Sequence, residues 1–154
     1  MTELMTALMV WLGAHTGLPV PADLPTVRLA AHCEIQELVY AAGKCLDDLG
    51  AVALYMHERD TIYMPDTWSA ASLYDVSMLL HELAHFMQDR AGLTSDSVGC
   101  VAAELERPAY EAQIAWLEAA GVDAFETMNI NGLNYLYLVN CVDPVTGNIT
   151  GGVQ

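Results

Sequence analysis

The stretch from Leu73 to Met87 constrains this chain more than any other. Apolar residues at Leu73, Val76, Leu79, Leu80, Leu83, Ala84 and Met87 recur at helical spacing and form a wide apolar stripe. The spacing predicts a helix from Ser72 to Ala91, with Gly92 as the residue that ends it. Inside that helix stands His81-Glu82-Leu83-Ala84-His85. Two histidines four residues apart sit one above the other on a helix, so both imidazoles can bind one tetrahedral metal ion. Glu82 lies about 100° round the helix from His81, too offset to complete the chelate. From there it can reach a water on the metal, the general-base position of zinc peptidases.

A catalytic zinc ion takes three protein ligands and keeps one open position. No histidine follows His85, so a carboxylate from a later helix is the remaining choice, with Glu104, Glu106 and Glu111 as candidates. On a helix from about 101 to 119, the apolar residues Val101, Ala102, Leu105, Ala109, Ala112 and Trp116 mark the buried face. Glu106 falls about 80° from the centre of that face, whereas Glu104 and Glu111 fall roughly 120–140° away. Glu106 is therefore the favoured third ligand. Pro108 is expected to kink this helix or to begin a new one, which would re-aim Glu104 or Glu106.

Around this helix pair the chain reads as α+β and mostly helical, one domain over residues 1–154. A first helix is expected at 2–13, then an irregular connection with Pro19, Pro21 and Pro25, then a helix at 28–42. Residues 51–57 and 61–65 form the one clear β signal, two short runs about a hairpin-length connection. Pro65 ends the second run or puts it at an edge, and such an edge would suit pairing with an extended peptide. A fifth helix is expected at 123–139, with a frayed tail over 143–154.

Composition narrows the function classes. With 20 acidic and 5 basic side chains among 154 residues, the formal charge is −15. That argues against nucleic acid, whose binding needs clusters of Lys and Arg, and against anionic membrane surfaces. No stretch approaches the roughly 18 apolar residues of a membrane span. Leu4 to Ala14 has the length of a signal-peptide core, but Glu3 precedes it and no cation does, so it reads as a helix of the fold. Cys33, Cys45, Cys100 and Cys141 form no C-x-x-C pair. They read first as buried thiols acting as small apolar residues, with one or two disulfides as the alternative. His15, His32 and His57 read as surface or packing histidines. Gln88 and Gln113 read either as partners orienting the ligands or as plain helix-surface residues.

His81-Glu82-x-x-His85 with Glu106-x-x-Ala109 resembles the gluzincin type of zinc metallopeptidase. Several further segments are similar to a small, poorly characterised bacterial group of that type. They are Trp11-Leu12, Leu54-Tyr55 through Pro65, Trp68, His81 to Gln88, and Cys100 through Glu106, Tyr110 and Gln113, so that the likeness runs over most of residues 8–120. The resemblance implies a zinc ion on His81, His85 and Glu106, Glu82 as general base, and a peptide or protein substrate. Tyr110, one turn beyond Glu106, is the candidate oxyanion partner. The chain departs from these relatives at Pro108, where they usually carry a second Glu, and in lacking the export signal that they often have. A non-catalytic zinc-binding or regulatory module is the alternative reading.

Overall fold

The computed structural model describes residues 1–40, 45, 53–93 and 100–140. The fold is α+β, mostly helical, with one small mixed sheet. Helix α1 spans Thr2–Thr16, strand β1 Thr26–Ala30, helix α2 His32–Tyr40 and strand β2 Leu54–Met56. A 3-10 turn at His57–Arg59 leads into β3, Thr61–Pro65. Helices α3 (Leu73–Arg90) and α4 (Cys100–Ala119) follow, then the single turn α5 (Ala124–Thr127) and α6 (Gly132–Val139).

Helix α3 is the axis of the molecule. Its start is fixed by Ser72, whose hydroxyl accepts the Asp75 N–H at 3.2 Å and satisfies one of the free donors of the first turn. Leu79, Leu80, Leu83, Phe86 and Met87 have no exposed surface. Each such side chain contributes about 1.5–3 kcal/mol by leaving water. Met5, Leu8, Met9 and Leu12 of α1 join the same core, as do Ile62 and Met64 of β3. From α4 this core takes the small Ala109 and Ala112. Their size lets the α4 backbone come close to α3, which is what brings α4 side chains within reach of the two histidines. Among the described residues, no helix is long and apolar enough to cross a membrane.

Four expectations need correction. Residues 26–30 form a strand where the helix at 28–42 was expected to begin. Of this strand only Ala30 is buried and Val27 half-buried, and β1 is set by parallel pairing with β3, Thr26 opposite Thr61 through Ala30 opposite Pro65. The hairpin is present, Leu54 opposite Tyr63 and Met56 opposite Thr61, but the sheet order is β1-β3-β2. Strand β3 is thus central, paired on both sides, and offers no free edge to a peptide. The helix expected over 123–139 divides in two: Asn129 adopts a left-handed φ of 53°, and Asn131 caps α6 by accepting the Asn134 N–H. Finally, Cys33 and Cys45 are exposed and joined by a disulfide, so for them the buried-thiol reading fails. Residue 141 and the tail expected at 143–154 lie outside the described residues.

Helix α4 runs through Pro108 without interruption.

Candidate metal centre

His81 and His85 project from the middle of α3, one turn apart, toward Glu106 on α4. His81 Nε2 lies 3.1 Å from His85 Nε2 and 3.2 Å from Glu106 Oε2, and His85 Nε2 lies 3.4 Å from Glu106 Oε1. One ligand atom from each of the three residues falls within 4.8 Å of the others. Glu104 and Glu111 point to solvent, as their positions on the helix imply.

Electrostatics bind the cluster tightly. Burial opposes a charge on His85, but the hydrogen bond and negative charge of Glu106, then the charge of Glu82, outweigh it and raise its pKa to about 9. Burial likewise opposes a charge on Glu106. The hydrogen bonds to His81 and His85, with their positive charge, prevail and hold its carboxyl well below the ordinary carboxylate range. Without a metal, His85 and Glu106 therefore favour a charged pair, and a cation would displace the proton on His85.

The groups around the cluster are ordered too. Glu82 is buried, and its Oε2 accepts the backbone N–H of Tyr55 at 2.7 Å. Tyr110 packs its ring edge-to-face on His81, centroids 4.5 Å apart, and Tyr135 of α6 packs in turn on Tyr110. Arg107, next to Glu106, donates to the carbonyl of Val139 and to Asn140 Oδ1, fixing the end of α6 against α4. His85 Nδ1 faces Gln88 Oε1 at 2.9 Å, and Gln88 Nε2 donates to the Leu105 carbonyl at 2.8 Å. Gln113 plays no such part: it donates to Ser77 Oγ at 3.0 Å, a buried tie between the same two helices.

The structure thus brings together His81, His85, Glu106, Glu82 and Tyr110. His15 stacks on Trp11 at the end of α1, His32 lies beside Gln36, and exposed His57 faces Glu58, all away from the cluster. Sequence reasoning missed Tyr55, whose contribution to the site is a backbone donor with no side-chain signal. It left Gln88 unresolved, although Gln88 stands three residues after His85 and therefore on the same helix face.

No curated protein and no solved structure matches the chain. A family model described as a domain of unknown function, DUF6647, matches residues 1–141, and the chain belongs to that family.

Proposed function

We propose that the protein is a zinc-dependent hydrolase of the metallopeptidase kind, with His81, His85 and Glu106 as ligands and Glu82 as general base. One observation carries the reading: the His81 and His85 Nε2 atoms stand 3.1 Å apart, and each faces one oxygen of Glu106, at 3.2 and 3.4 Å. Ligands at about 2.0–2.1 Å on a tetrahedral zinc ion are separated by about 3.3–3.4 Å. Two imidazoles and a carboxylate are also a donor set that suits zinc and leaves a fourth position open.

When bound there, zinc would polarise a substrate carbonyl and bring the pKa of a water molecule toward neutrality. Glu82 then accepts the water proton and returns it to the leaving amine. The Tyr55 N–H occupies one of its two oxygens, which orients the carboxylate. Tyr110, the phenol packed on His81, is assigned to the developing oxyanion. A carboxylate beside the ligands supplies the base that hydrolysis needs, and this favours an enzyme over a purely structural site.

Metal analysis of the purified protein with His81→Ala, Glu106→Ala and Glu104→Ala, and peptide hydrolysis on the same samples, tests this. About one zinc per chain is expected, lost with His81 and Glu106 and kept with Glu104. Hydrolysis should require zinc and Glu82. Zinc that survives Glu106→Ala sinks the ligand set, and stoichiometric zinc without hydrolysis of any peptide assigns the non-catalytic role.

A further inference from the structure

Gln88 is neither ligand nor base, yet it is buried and both ends of its amide are engaged at the cluster. We propose that Gln88 is the positioning residue of the metal centre, a strut that sets at once the His85 ring on α3 and the turn of α4 that presents Glu106. The inference rests on the metal-centre reading above.

The orientation of the amide follows from its partners. Its Nε2 donates to the Leu105 carbonyl, so Oε1 is the end that faces His85. Turned over, the amide would set its oxygen against a carbonyl oxygen. Oε1 can only accept, so His85 Nδ1 carries a proton and donates it, and His85 Nε2 is the nitrogen left to face the cluster. The other histidine has no such support: His81 Nδ1 is buried and finds no hydrogen-bond partner among the described residues. Gln88 is thus the one side chain among the described residues that holds the outer nitrogen of a ligand.

Its second end anchors the turn of α4 just before Pro108. A proline inside a helix has no N–H for the carbonyl four residues back, here that of Glu104, and its ring crowds the preceding turn. That turn is the one carrying Glu106. The Gln88 amide bonds the next carbonyl, that of Leu105, immediately before Glu106, and so ties this turn directly to α3. A neutral amide does this without adding a third negative charge beside Glu82 and Glu106.

Gln88→Met and Gln88→Glu test the strut, with Gln113→Met as the control that removes a buried amide bridging the same helices elsewhere. Two quantities are read: zinc affinity in competition with a chromogenic chelator, and the His85 Nδ1 proton in nitrogen-filtered proton spectra. Gln88→Met is expected to lose about ten- to a hundred-fold in zinc affinity and to lose the Nδ1 proton to solvent exchange. Gln88→Glu keeps an acceptor for that proton but sets an oxygen against Leu105, so the signal should persist while affinity falls. Gln113→Met should lower thermal stability and leave both readings unchanged. Unaltered affinity in Gln88→Met, or an equal loss in Gln113→Met, overturns the proposal. Should Gln88→Met not fold, unaltered affinity in Gln88→Glu overturns it. If the wild type binds no zinc, the metal reading falls on its own. The strut is still decided, because an Nδ1 proton that survives Gln88→Met removes it.

Discussion

The backbone N–H of Tyr55 donates to Glu82 at 2.7 Å while the Tyr55 hydroxyl donates to Asp89 at the same distance. One residue of an outer strand therefore grips α3 at two points almost two turns apart, with its ring against Phe86 between them. Glu82→Gln tests the base without disturbing this grip, since an amide oxygen accepts the Tyr55 N–H as a carboxylate does. Zinc content and thermal stability should stay close to wild type, and hydrolysis should fall by about 10²–10⁴-fold. Activity retained in Glu82→Gln would remove Glu82 from the chemistry.

Tyr110→Phe separates packing from chemistry in the same way. The ring remains on His81, so zinc affinity should hold. Loss of the hydroxyl should lower kcat about 10²–10³-fold, the usual effect of deleting an oxyanion donor, with little change in KM. Steady-state kinetics decide it, and an unchanged kcat sinks the assignment.

The coupled charges give the metal-free protein a distinctive response to pH. His85 is raised from 6.5 to about 9 on folding, so its contribution is complete below pH 6.5 and is lost as pH rises through 9. Glu106 is lowered from 4.5, so its contribution is present above that pH and is lost on acidification below it. Urea unfolding of chelator-treated protein should show greatest stability between these limits. An alkaline decline on the order of 3 kcal/mol should follow. Zinc should abolish the alkaline decline, because the metal takes the place of the proton. Stability that is flat between pH 6.5 and 9 without metal would contradict this.

The disulfide closes a separation of 12 residues between Cys33 and Cys45. Constraining an unfolded loop of that length contributes about 2–3 kcal/mol. The double variant Cys33→Ala, Cys45→Ala should therefore unfold at lower temperature and lower urea concentration than the oxidised protein. It should behave like the wild type under reductant. Equal stability of the two forms would show that the bridge adds no effective constraint to the unfolded chain.

What could be read in the sequence was whatever repeats along one element. The period of α3, the pair His81 and His85, and the lean of Glu106 toward the buried side of α4 are local facts, and they place the cluster. Strand β1 was not legible, because its partner is β3, far along the chain, and its own burial pattern is weak. The break at Asn129 is signalled by Asn129-Ile130-Asn131-Gly132, a turn-rich run inside the helix expected over 123–139. Glu82 and Tyr55 meet through a main-chain donor, which no residue type announces.

The mixed sheet has a consequence in time. Strands β2 and β3 are joined by a short turn, and their pairing closes a small loop at low entropic cost. The pairing of β1 with β3 must instead gather the whole stretch from Thr26 to Thr61, with α2 inside it. Distant contacts of this kind form slowly. The sheet's two outer strands thus have different histories: β2 arrives with its neighbour, and β1 is recruited to a strand already made.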